Sequence, residues 1–268
     1  MRREKIGWLQ GKSLIEFVVI VESSADARTA TKLADRLFVD KIDWLEHETL
    51  QYHFQWSGLE AGTENSCWKN IDDITKRLSD KFKFPTIRSN GKFKSDGQSA
   101  HKIMTLIRFL QHKLNRDIKA VIFMRDLDHQ SERREHIEQA RSEQSDRQPK
   151  LAIIIGTPDR MREAWVLNGF IPSNQDEKQI LKEITTQLTF NPCEESHRLR
   201  SNSLTEPDRL RNPKVVVEKL TGGRMEREQQ CWEETSLEYL REKGDRTGLT
   251  AYIKEIEERL IPIIGSAE

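Results

Sequence analysis

The sequence predicts an α/β fold, a mostly parallel sheet flanked by helices and followed by a helical C-terminal region. Three observations predict it. Residues 17–21, 120–124 and 150–155 are runs of Val, Ile, Phe and Ala with little polar interruption, the pattern of central strands covered on both faces. Between them apolar residues recur at helical spacing, so strands and helices alternate, which implies parallel pairing through right-handed crossovers. After about residue 171 the patterns are helical almost throughout.

Each element follows in order. Residues 25–38 form a helix with Ala27, Ala30, Leu33, Ala34, Leu37 and Phe38 on one face. Residues 50–56 alternate enough for a strand, and 68–82 read as a helix opened by polar residues. From 83 to 98 the chain turns basic, with Pro85, Gly91 and Gly97 as breakers, so a loop or ribbon is expected. Residues 99–114 return to a helix through Ile103, Leu106, Ile107, Leu110 and Leu114 and lead into the strand 120–124. The almost wholly polar stretch 130–148 suits a solvated helix or a mobile segment. Strand 150–155 closes on Gly156-Thr157-Pro158-Asp159, and 161–167 begins another helix. Further on, residues 215–217, three valines, suggest one late strand among helices at 179–188, 226–242 and 249–261. These patterns divide the chain into an α/β domain, 1–170, and a mainly helical appendage, 171–268, expected to pack on the sheet.

Of the 268 residues, 33% are charged, above the usual share of about 25%, yet the formal net charge is zero. Any phosphate-binding face is therefore local and balanced by acidic surface elsewhere. Cys67, Cys193 and Cys231 are isolated thiols, which argues against a disulfide framework or a zinc ribbon and suits a reducing cytoplasm. No run approaches the ~18 apolar residues of a membrane span, so a cytoplasmic protein without a membrane partner is expected. The Gly-x-x-x-x-Gly-Lys-Ser/Thr loop of an ATPase is absent from the sequence.

The chemistry lies at the strand ends. The first strand runs into Glu22 and then Asp26, and the second into Arg125-Asp126-Leu127-Asp128. Ligands of open α/β sheets collect beyond the carboxyl ends of the strands, so these acids are expected to share one crevice. Taken singly, each equally suits a helix cap, and Asp26 suits the helix dipole. Together they point to a divalent cation, Mg2+ or Mn2+, which takes oxygen ligands.

Strand-Glu-x-x-x-Asp-helix followed about a hundred residues later by strand-Asp-x-Asp resembles the Toprim domain of topoisomerases, primases and OLD-type nucleases. The resemblance covers roughly residues 14–170 and rests on Glu22, Asp26, Asp126 and Asp128; the Gly that usually follows the Glu is Ser23 here. It implies a Toprim-like fold and a metal-dependent nuclease acting on DNA or tRNA. Asp126 and Asp128 would hold one cation, and Glu22, with Asp26 or Glu163, would share it or hold a second; Glu22 is alternatively a general base. Glu163 joins the set because its Glu-Ala-Trp resembles a segment of stand-alone Toprim-like proteins found with defence ATPases. Catalytic roles thus fall on Glu22, Asp126 and Asp128.

Arg125, Arg160 and Arg162 are candidate phosphate contacts, as are Arg88, Lys92 and Lys94, against the plain reading of a solvated surface. Lys214 and Lys219 flank the expected late strand and are candidates for the basic residue that assists catalysis in OLD-like nucleases. His129 is a weaker candidate base. Tyr52, Tyr239 and Tyr252 offer no evident topoisomerase nucleophile. The chain's size and missing ATPase loop resemble the Toprim effectors of PARIS-type antiphage systems, which implies a separate ABC- or OLD-type ATPase partner and leaves a homo-oligomer open. The competing readings are a non-catalytic interaction subunit and a metal-dependent phosphatase or nucleotide-binding response-type domain.

Overall fold

The runs of branched apolar residues become five parallel strands. The computed structural model describes residues 14–84, 95–144 and 146–265, with strands β1 (Ile15–Val21), β2 (Phe54–Ser57), β3 (Ser66–Cys67), β4 (Ile118–Met124) and β5 (Ala152–Gly156). The order is β2-β1-β4-β5, with β3 continuing the β2 edge: β2 pairs with the first half of β1, and β3 with Ile20 and Val21.

Alternation along the strands sorts the core into two layers. Phe17, Val19, Val21, Ala120, Ile122, Met124 and Ile154 point to one face, and Val18, Ile20, Val121, Phe123, Ile153 and Ile155 to the other. Both sets are at least 95% buried, as expected of strands sandwiched between helices. The first face is covered by α1 (Ser24–Lys41), and the second by α2 (Ile71–Phe82), α3 (Ser95–Leu114) and α4 (Arg133–Ser142).

That arrangement creates a switch point. The chain leaves β1 through α1 toward β2, and leaves β4 through α4, on the opposite face, toward β5. The loops after β1 and β4 therefore diverge, opening the crevice between neighbouring strand ends where open α/β sheets place ligands.

The helical region runs through α5 (Glu163–Asn168), α6 (Gln175–Leu188), α7 (Pro213–Thr221), α8 (Met225–Glu233), α9 (Leu237–Lys243), α10 (Leu249–Arg259) and α11 (Ile261–Gly265). Val216, Leu220, Trp232, Tyr252 and Ile256 share the α1-side core with Phe17 and Ile122. The Tyr252 hydroxyl donates to the Ala30 carbonyl of α1 at 3.0 Å. These helices complete the layer that α1 begins.

Several expectations are corrected. Residues 215–217 lie in α7, because Asn212 caps its N-terminus, Pro213 sits in the first turn and Gly222 ends it in a left-handed conformation; end signals outweigh the strand preference of three valines. Lys214 and Lys219 thus flank no strand. The strand expected over 50–56 starts at Phe54, after a 3-10 turn over His47–Tyr52. Helix α3 begins at Ser95 and so includes Gly97, and the 226–242 helix is broken between α8 and α9, where Ser236 caps α9. Arg88, Lys92 and Lys94 lie outside the described residues. Among those described, no helix is long and apolar enough to cross a membrane.

Candidate functional site

Side chains from β3 and the turn after it pin the two strand ends that carry the acids. Cys67 Sγ contacts the Glu22 carbonyl at 2.9 Å, and Trp68 Nε1 donates to the Met124 carbonyl at 2.8 Å. Beyond β4 the chain stays laddered to the loop after β5: the amides of Arg125, Leu127 and Asp128 donate to the carbonyls of Gly156, Pro158 and Arg160 at 3.0, 3.0 and 2.8 Å. Asp128 is left-handed there, with φ 50, a conformation that Asp tolerates better than most residues.

The helical region fixes the β5 loop from the other side. Thr247 accepts on its carbonyl from the Asp159 amide at 2.8 Å and from Trp165 Nε1 at 2.7 Å. Gly248 follows with φ +80, and a Cβ on it would lie 2.4 Å from the Thr157 carbonyl oxygen. Only glycine satisfies both the backbone angle and the approach.

These supports bring together all five acids expected from the sequence. Glu22, Asp26, Asp128 and Glu163 all act electrostatically on Asp126. Burial, then the charges of Asp26, Glu22, Glu163 and Asp128, pushes the Asp126 carboxyl up to about 9. Among the described residues its carboxylate has no ion pair; the Arg162 amide donates to Oδ1 at 3.1 Å. Burial also raises the Glu22 carboxyl, Arg125 pulls it back, and Asp128 and Asp26 raise it again.

Arginines interleave the other acids. Arg125 Nη1 pairs with Glu22, and its Nε with Asp96 at 3.0 Å. Arg133 pairs with Asp128 at 2.9 Å and donates to the Asp126 carbonyl at 2.6 Å. Arg162 reaches Glu228 at 2.6 Å and Asp26 and Glu163 at 3.5 Å. Burial disfavours its charge, but Glu163, Glu228 and Asp26 outweigh this and raise its pKa. Asp26 also accepts from the Ser23 amide at 2.7 Å and hydroxyl at 2.9 Å, closing a capping box on α1. Its helix-cap role is therefore real, alongside its place in the cluster.

Three members were missed in the sequence. Asp96 sits in the first turn of α3, inside the stretch expected to be a loop; Arg133 opens the polar stretch 130–148; Glu228 comes from α8. Asp96 carried a usable signal, an acid just ahead of a periodic helix. The candidate phosphate contact Lys214 is an exposed residue of α7 whose amide donates to its own cap, Asn212, at 3.0 Å.

The donor set suits a hard cation in kind, since four carboxylates lie near enough to act on Asp126, which has no ion-pair partner among the described residues. In the arrangement described, arginines hold the others, and no three His, Cys, Asp or Glu side chains among the described residues form a ready ligand group. A cation would therefore have to draw Glu22 and Asp128 from Arg125 and Arg133.

No family model, curated protein or solved structure matches the chain. The resemblance to Toprim domains rests on the strand-end acids alone.

Proposed function

We propose that the chain is a Toprim-like, metal-dependent nuclease that cleaves phosphodiester bonds of DNA or tRNA. One observation carries the reading: at the switch point burial, and then four surrounding acids, push the Asp126 carboxyl up to about 9, an electrostatic load that a bound divalent cation relieves. Mg2+ or Mn2+, held by Asp126 with Glu22 and Asp128, and with Asp26 or Glu163 beside them, would neutralise charge on the phosphoryl group. The chain's own residues orient the strand and handle protons. Alternatively Glu22, 30% exposed at the crevice and with a raised pKa, leaves the cation to the other acids and serves as the base toward water. Arg125 and Arg133, released from their acids, turn to phosphate oxygens, for which a guanidinium fork is well shaped. Arg162 stays with Asp26, Glu163 and Glu228 and orients them.

The interleaved arginines favour one other reading, a non-catalytic α/β interaction subunit in which the acids serve only as an ion-pair network. Incubating the full chain with plasmid, single-stranded DNA or tRNA separates the two. Cleavage with Mg2+ or Mn2+ that stops in chelator is the expected result, and intact substrates under every metal condition favour the scaffold. Phosphate release from small esters without strand cleavage would instead indicate a phosphatase.

The chain has no ATPase loop, and an unrestrained nuclease harms its host, so we place it as the effector of an antiphage system gated by a separate ABC- or OLD-type ATPase. Co-purification with such an ATPase at native expression is expected. Isolation of the chain alone and constitutively active rejects the gating.

A further inference from the structure

A cavity of about 330 Å3 opens next to the acid cluster, lined in part by Asp128, His129, Ser131, Asp159, Arg160 and Arg200. Its unusual member is Arg160, only 1% exposed. The guanidinium contacts His129 Nδ1 at 2.7 Å and donates to Asn202 Oδ1 at 2.9 Å, while its buried Nε–H has no hydrogen-bond partner among the described residues. Among the described residues no carboxylate stands within 4.0 Å of it. The two acids of the cavity are paired with other arginines: Asp159 with Arg200, also of the cavity, at 3.0 and 2.7 Å, and Asp128 with Arg133 at 2.9 Å.

A buried cation short of a counterion is unfavourable unless something supplies the charge. Burial and then Arg200 already lower the Arg160 pKa, which Asp128 and Asp159 only partly offset. An anion in the cavity would meet both arginines and the Ser131 hydroxyl. Guanidinium forks match phosphate oxygens in geometry as well as charge. Because Asp128 lines the cavity and belongs to the acid cluster, an anion bound here lies beside the reacting centre.

We propose that this cavity is a phosphate subsite, holding a backbone phosphate of the nucleic-acid strand next to the phosphate to be cut, with Arg160 and Arg200 as its ligands. The anion site stands on its own geometry; naming the anion as a strand phosphate rests on the nuclease reading.

The test is calorimetric titration of inorganic phosphate into the full chain in chelator, where the acid cluster repels anions and cleavage is off. Saturable binding by the wild type is expected, weakened about tenfold or more by Arg160→Gln and measurably by Arg200→Gln. Arg160 is buried, so its variant counts only if it unfolds cooperatively; Arg200, with a side chain 53% exposed, carries the test without that risk. Absence of saturable binding, or binding unchanged in Arg200→Gln, overturns the subsite. Displacement of phosphate by an oligonucleotide with hydroxyl ends supports a backbone phosphate, and displacement only by a phosphate-terminated one overturns that assignment. Phosphate binding by a chain that cuts no nucleic acid keeps the subsite and removes the nuclease reading; cleavage without phosphate binding does the reverse.

Discussion

Glu22→Gln is expected to lower metal-dependent cleavage by about two orders of magnitude or more while leaving the chain folded. The change keeps the volume and removes the charge. Its structural cost is limited, because the Gln amide oxygen can still accept from Arg125 where Glu22 does. Arg125 also keeps Asp96 at 3.0 Å and its place over the Trp68 ring at 5.7 Å. Single-turnover cleavage beside a thermal melt separates chemistry from stability. Wild-type cleavage by the folded variant would remove Glu22 from the mechanism.

Asp126→Asn is expected to stabilise the chelated protein and to abolish its response to metal. The Asp126 carboxyl is pushed up to about 9 in the fold, against about 3.9 in an unfolded chain. Folding therefore holds a proton that the unfolded chain has lost. The linkage is absent below the unfolded value, grows as pH rises, and is complete once pH passes the folded value. Between about pH 4 and pH 9 this group makes the metal-free protein less stable with rising pH, and Asn removes that slope. Each kcal/mol recovered corresponds to about 2–4 °C of melting temperature in a chain near this size. Melts at stepped pH in chelator check it; equal slopes for variant and wild type would mean that Asp126 titrates normally.

The layering of the fold was legible because the strands are nearly pure apolar runs. Val18 and Val19 read alike in the sequence, and each is fully buried, on opposite faces of the sheet. Strand order and the switch point were not legible, since both depend on which side of β1 each later strand pairs. Residues 215–217 misled because β-branched residues dominate a single helical turn, while Asn212-Pro213 and Gly222 marked helix ends that outweigh them. The acids were legible because each follows an apolar strand or opens the next helix. Their arginines were not. Arg133 lay in a stretch read as solvated surface, and nothing local tells that its guanidinium spans Asp128 and Asp96. The contribution of Thr247 and Gly248 to the β5 loop was likewise hidden, because it joins segments some ninety residues apart, and such contacts leave no periodic trace.

The acid cluster as a cation site is tested most directly by the melting temperature of wild type and Asp126→Asn across a titration of Mg2+ or Mn2+. A cation that binds only the folded state stabilises it by about 2.7 kcal/mol at a hundredfold excess over its dissociation constant. A saturating rise is expected for the wild type and almost none for Asp126→Asn, which starts at or above the wild type in chelator. A variant that starts lower in chelator and still shows the full metal-induced rise would contradict it, leaving Asp126 as an ordinary buried acid at the end of a strand.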